Sequence, residues 1–304
     1  HLADAVEAIR AQDYPGQLSV LMAVGPSDDG TEAVAAQLAR GDDIVTVIDN
    51  PAGTTPRALN LAIRAGTAPV IVRVDGHSKL SDGYIERAVS TLRRTGASNV
   101  GGMQVPDPTT PFEQAVAAAT TSWLGTGGAS YRTGGTVGPV DTVYLGVFDR
   151  AAMEAVGLFD ERLIRNQDYE LNIRLRAAGG EVVFDPGLSV GYVPRGSWSA
   201  LWRQYHEYGQ WKAQVLRMHP ESLKLRQMIP PVAVAAVVIS LVGGLRRPRT
   251  LTPALAYGAL LMLAGNRAAP RPALGMRTAA AMATIQFSWA FGLARGARQR
   301  HTAD

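Results

Sequence analysis

Four stretches of the chain carry side chains able to do chemistry. The first is Asp75-Gly76-His77, which ends the apolar run Val70-Ile71-Val72-Arg73-Val74. A carboxylate and an imidazole two positions apart offer an oxygen and a nitrogen ligand to a divalent cation. Gly76 between them lets backbone come close to a phosphate. The same aspartate also suits the plainer task of capping the turn after a strand. The second stretch is Gln167-Asp168-Tyr169-Glu170-Leu171-Asn172. Asp168 falls in the first turn of an expected helix, where the dipole favours a carboxylate. It suits a base, a ligand or an ordinary capping acid. The third is Val24-Gly25-Pro26-Ser27-Asp28-Asp29-Gly30-Thr31, a turn from an expected strand into an expected helix. Its N–H groups can hold a nucleotide, or the turn can simply connect. The fourth, Gln204 to Lys212, sets Tyr205, Tyr208 and Trp211 among amides. Such rings stack on a sugar or base, or form a belt at a membrane interface. His206 and His219 lack such a context and read as surface residues.

Other chemistries are excluded. The chain has no cysteine, which removes disulfides, thiol nucleophiles and zinc–thiolate sites. No G-x-G-x-x-G follows a strand and no phosphate-loop lysine motif occurs, so dinucleotide and P-loop readings lack support.

These residues need a scaffold. Apolar runs at residues 18–24, 44–48 and 69–75 read as buried strands. They alternate with helix patterns at residues 31–40 and 56–65. That order predicts an α/β domain with a mostly parallel sheet. Asp75 then lies at the carboxyl end of a strand, where open α/β sheets bind ligands. A helix over residues 2–11 should follow a strand of its own, which is expected to lie before His1. Leu171 and Leu175 share one helical face and Gly179 closes that helix. Gly-rich loops at residues 125–128 and 134–138 are expected to contact substrate.

Net charge splits the chain. The 30 basic and 26 acidic residues leave +4 overall. Residues 222–303 contain no Asp or Glu but 11 Lys and Arg, whereas residues 1–221 carry a net −6. Three charge-free apolar blocks, at residues 228–245, 251–265 and about 279–294, are separated by arginine clusters. A nucleic-acid tail would interleave its charge, so no nucleic-acid partner is expected. The pattern predicts a domain over residues 1–221 and a basic, membrane-associated helical region over 222–304. A buried soluble helical domain is the competing reading, and arginines at both ends of the blocks set no orientation.

Taken in order, the motifs resemble a family 2 glycosyltransferase, of the membrane-bound succinoglycan-type exopolysaccharide group. The Ser27-Asp28-Asp29-Gly30-Thr31 turn, Ala58-Leu59-Asn60, Asp75-Gly76-His77, Gly157-Leu158-Phe159-Asp160-Glu161, the Gln167–Leu171 segment and the Gln204–Lys212 segment carry that resemblance over nearly the whole chain. It implies a GT-A (Rossmann-like) fold and inverting transfer of a sugar from a nucleotide-sugar donor. The acceptor would be lipid-linked or a glycan. Asp75 and His77 match the family's metal motif, usually D-x-D, for Mg²⁺ or Mn²⁺, and Asp168 matches its catalytic base. Ser27, Asp29, Asn60 and Asp75 would face the donor; Gly127, Gly128, Gln167 and Trp211 the acceptor. The family usually has an acid where Val24 stands. Membrane lipids would be partners, with the catalytic domain cytoplasmic. A nucleotidyltransferase on a similar fold, or an inactive sugar-binding scaffold of a polysaccharide synthase, are the competing readings.

Overall fold

The computed structural model describes residues 2–299; residue 1 and residues 300–304, the ends of the two expected regions, lie outside it. In chain order the elements begin α1 (Leu2–Arg10), β1 (Val20–Val24), α2 (Thr31–Arg40), β2 (Val45–Asp49) and α3 (Thr55–Ala65). Next come β3 (Val70–Val72), β4 (Lys79–Leu80), α4 (Tyr84–Thr95) and β5 (Asn99–Pro106). Three short helical pieces follow: α5 (Pro111–Thr121), α6 (Trp123–Thr126) and α7 (Ser130–Thr133). The chain then forms β6 (Gly138–Pro139), β7 (Tyr144–Asp149), α8 (Arg150–Ala155), α9 (Gln167–Ala177) and β8 (Val182–Tyr192). It ends with α10 (Trp198–Met218), α11 (Leu225–Gly244), α12 (Thr252–Ala268) and α13 (Gly275–Arg298).

Two compact units result, and they interleave in sequence rather than dividing at residue 221. One contains residues 1–105 and 134–192, the other residues 106–133 and 193–304. In the first unit β1 and β2 pair in parallel, Val20 opposite Val45 through Val24 opposite Asp49. The six-stranded second sheet runs β3-β7-β5-β8-β4, with β6 also on β8. There β3 and β5 pair antiparallel with β7, and β4 and β6 antiparallel with β8. The α/β class is as expected, and the parallel pairing belongs to β1 and β2.

Each layer has its own apolar core. Val6, Met22, Ala35 and Val45 close α1 and α2 onto the parallel pair. Tyr84, Ala88, Leu92, Val147 and Val190 pack α4 against the larger sheet. Ile63, Phe148, Met153, Phe159, Leu171 and Leu175 hold α3, α8 and α9 together beside β7. That third cluster fixes α9, and with it the first-turn residues.

The second unit is helical. Thr110 caps α5 by accepting from Glu113 N–H at 3.2 Å, while the Glu113 carboxylate accepts from Thr110 N–H, a reciprocal box written in Thr-Pro-Phe-Glu. Its core joins Val116, Leu201, Tyr205, Leu261, Met282 and Ile285 from α5, α10, α12 and α13. Glycines bring α10 and α13 unusually close. A Cβ on Gly292 would sit 2.0 Å from His206 O, and one on Gly209 2.2 Å from Trp289 O. Among the described residues one helix, α11, is long and apolar enough to cross a membrane; its mean hydropathy is 1.8 and 17% of it is buried. The other two apolar blocks fall in α12 and α13.

Candidate active site

The Asp75 motif is a turn. Strand β3 stops at Val72 because Val70, Ile71 and Val72 complete its pairing with β7. Arg73 adds one more bond, its N–H donating to Gly146 O at 3.1 Å. The chain then reverses, and Ser78 N–H closes on Asp75 O at 2.8 Å. Gly76 and His77 occupy the middle of this turn. His77 is exposed, and the Asp75 side chain is 27% exposed.

Asp168 arrives from 93 positions further along the chain. Leu171 and Leu175 anchor α9 in the core as their spacing predicts. Three polar side chains on the same helix are also buried, which the apolar spacing does not announce. Asn99 donates to Asn172 Oδ1 at 2.7 Å, and Asn172 donates to Thr142 Oγ1 at 3.0 Å. Glu170 pairs with Arg174, whose guanidinium also reaches Val156 O and Leu158 O. Gln167 is 6% exposed, at the start of the helix. Asn166 enters the helix with φ 61°, and Leu145 and Leu158 also have positive φ. Backbone of this kind is costly for leucine and is held by surrounding packing.

The two carboxylates meet at one guanidinium. Arg73 has a side chain only 7% exposed. Its Nε donates to Asp75 Oδ1 at 3.1 Å, and its Nη2 lies 3.1 Å from the same oxygen. Its Nη1 faces Asp168 Oδ2 at 3.7 Å. Burial works against the charge of Arg73, but Asp75 and Asp168 outweigh it and raise its pKa. Tyr144 lies beside this group. Burial first, and then the charge of Asp75, push its phenol up to about 12, so it is neutral at neutral pH. Neither Arg73 nor Tyr144 stood out in the sequence. The signal available was an arginine inside an apolar strand, which must be paired to be buried.

The loop after β1 is ordered by its own side chains. Asp29 accepts from Ser27 Oγ, from Thr31 N–H at 3.1 Å and from Thr31 Oγ1 at 2.6 Å. The Ser27 and Thr31 hydroxyls, with that N–H, hold the Asp29 carboxyl down at about 2. The carboxylate is exposed and doubles as the lead-in to α2. Asn60, expected on the donor side, is hydrogen-bonded within the protein. It is 1% exposed, donates to Phe159 O and Glu161 Oε1 at 2.9 Å each, and accepts from Phe159 N–H at 3.0 Å. Its amide fixes the Phe159–Glu161 segment.

Gly127, Gly128 and Trp211 belong to the helical unit. Gly127 and Gly128 have φ of 74° and 72°, and a Cβ on Gly128 would meet the Trp123 ring at 2.6 Å. Trp211 is half-buried on α10, and Tyr205 is buried and accepts from Arg132 at 2.9 Å. The exposed rings of this helix are instead Trp198 and Trp202. His206 and His219 are half-buried rather than surface residues, and His219 Nδ1 lies 3.2 Å from Glu221.

No group of three or more His, Asp or Glu side chains forms a metal cage among the described residues. Asp75 and His77 carry an oxygen and a nitrogen donor of types that Mg²⁺ or Mn²⁺ accept.

Comparisons with known proteins bear on the family and the fold. The family model "Glycosyltransferase like family 2" matches residues 1–207. The succinoglycan biosynthesis protein ExoA of Rhizobium meliloti (strain 1021) is 32% identical over 244 residues, 78% of this chain and 74% of that protein. Glycosyltransferase AglE of Haloferax volcanii is 28% identical over 104 residues, 34% of each chain. In three dimensions the chain is similar to the mannosyltransferase PcManGT of Pyrobaculum calidifontis, solved with GDP-Man and Mn²⁺. The TM-score is 0.61 at 19% identity, covering 97% of this chain and 82% of that one, and the likeness is one of fold.

Proposed function

The chain belongs to glycosyltransferase-like family 2 and has a GT-A fold, and from that premise we propose that it is an inverting glycosyltransferase of exopolysaccharide synthesis. It would move a sugar from a nucleotide-sugar donor, probed first as UDP-sugars, to a lipid-linked or glycan acceptor. One observation carries the reading: the Asp75-Gly76-His77 turn and the α9 helix, remote in sequence, meet at Arg73 with both carboxylates turned to the same group.

The roles follow from chemistry. Asp75 and His77 would hold a divalent cation, which when bound offsets charge gathering on the departing nucleoside diphosphate. Asp168 is partly exposed and stands as the base that takes the acceptor hydroxyl proton. The hydroxyl oxygen attacks the anomeric carbon from the face opposite the leaving group, and the configuration inverts. Within the α/β unit, Ser27, Asp29 and Asn60 would face the donor and Gln167 the acceptor. Membrane association through the basic, acid-free tail fits a lipid-linked acceptor, with the catalytic unit on the cytoplasmic side.

The test is a screen of nucleotide sugars on the full chain in detergent, with and without Mn²⁺, followed by Asp168→Asn. Removing a positioned general base is expected to cut transfer by roughly 10²- to 10⁴-fold, while the nucleotide still binds at saturating Mn²⁺. Transfer at the parental rate would remove Asp168 from the role of base. Failure of every nucleotide sugar to bind would favour the scaffold reading.

A further inference from the structure

Arg73 is a charge placed where a charge is expensive. A buried guanidinium persists only when its donors are met, yet this one is met unequally. Two of its nitrogens crowd onto one oxygen of Asp75, each at 3.1 Å. The third, Nη1, is fully buried and has no hydrogen-bond partner, its facing carboxylate standing at 3.7 Å. The backbone leaves Arg73 little freedom, because its N–H is tied to Gly146 O. The guanidinium therefore works as a fixed strut. It holds Oδ1 of Asp75, and the second oxygen of that carboxylate lies outside this contact.

We propose that Arg73 is a positioning residue: it sets the Asp75 carboxylate for a divalent cation, while Asp168 offsets enough of its charge for that cation to bind nearby. The inference rests on the glycosyltransferase reading only for the place of Asp75 in the metal site. Two physical effects of removing Arg73 have opposite signs, which makes the idea testable. As a mere positive charge, Arg73 repels the cation, so its loss would tighten binding. As a strut, it holds the ligand in its productive rotamer, so its loss weakens binding. Asp168 enters with a definite sign as well. Its neutralisation leaves the guanidinium less compensated, and the cation pays for this in affinity.

The experiment is Mn²⁺ binding alone, followed by electron paramagnetic resonance on the full chain in detergent. Parent, Arg73→Lys, Arg73→Met, Asp168→Asn and Asp75→Asn are compared, with the melting temperature of each measured alongside. Arg73→Lys keeps the charge and loses the fork; it is expected to weaken Mn²⁺ about fivefold or more at a parental melting temperature, and Arg73→Met at least as much. Asp168→Asn is expected to weaken Mn²⁺ about two- to fivefold. Tighter or unchanged binding in Arg73→Met overturns the proposal. If that variant does not fold, parental Mn²⁺ affinity in Arg73→Lys overturns it instead. Parental affinity in Asp75→Asn is a separate result: it removes Asp75 from the metal site and so strikes the functional reading rather than the strut.

Discussion

At the scale of single residues, the sequence offers candidate site residues more readily than it shows what holds them. Asp75 and His77 stand out because they end an apolar strand together, whereas Asp168 is one of several first-turn acids, with Asp4, Glu32, Glu86 and Glu113. Asn60 stands out equally, and the fold gives it to Phe159 and Glu161, since a buried amide is drawn to whatever backbone lies opposite it. Asp185 attracts no notice in sequence and is among the most buried acids, at 1% exposure on β8. Burial opposes its charge, but the Arg87 guanidinium at 2.8 Å, Gly187 N–H and Thr91 Oγ1 outweigh that and lower its pKa. Its folded pKa lies below the unfolded value of about 3.9. The stability it contributes is therefore complete above that value and is lost as pH falls through the folded pKa. Asp185→Asn should cost about 1–3 kcal/mol at pH 7. Denaturant titrations at pH 7 and pH 3 check this: the difference between parent and variant should shrink at the lower pH. A difference that persists undiminished would show that the ionised carboxylate is not what matters.

At the scale of elements, periodicity finds the helices and misses the pairings. The pattern over residues 31–40 becomes α2 with those bounds, and the strand runs at 18–24 and 44–48 become β1 and β2. Strand direction is not legible from apolar runs, because a strand buried on both faces has the same composition in either direction. The Gly-rich character of the C-terminal blocks is also ambiguous in sequence. The structure separates two kinds of glycine. Gly292 on α13 lies under the backbone of α10, and a Cβ there would be 2.0 Å from His206 O. Gly258 on α12 has nothing within 4 Å of its Cβ direction. Gly292→Ala should therefore force the helices apart and destabilise by about 1–3 kcal/mol. Gly258→Ala should be neutral or stabilising by up to about 1 kcal/mol, because alanine is the better helix former. Melting temperatures in detergent compare the two directly, and equal values would mean that α10 and α13 do not pack this closely.

At the scale of the whole molecule, the uneven charge is legible and the interleaving is not. An acid-free stretch is visible in sequence, but nothing there says that residues 106–133 join the C-terminal helices. That joining changes what a truncation means. Removing residues 228–304 would take α13 away from Val116 on α5 and from Leu201 and Tyr205 on α10, which share its core. The product would expose that core and aggregate rather than become soluble. A sharper test leaves the core in place and alters only the outward surface. Ile239 and Val242 on α11 and Leu255 on α12 are 72%, 62% and 70% exposed, a burden that water does not favour and lipid does. The charges beside them are Arg246, Arg247 and Arg249 between the helices, suited to anionic headgroups. Replacing Ile239, Val242 and Leu255 together by Gln should shift the chain from the membrane pellet to the supernatant and leave nucleotide binding unchanged. Arg246, Arg247 and Arg249 together changed to Gln should weaken binding to vesicles rich in anionic lipid more than to neutral ones. If the first variant pellets like the parent with its fold intact, α11 and α12 do not provide the attachment.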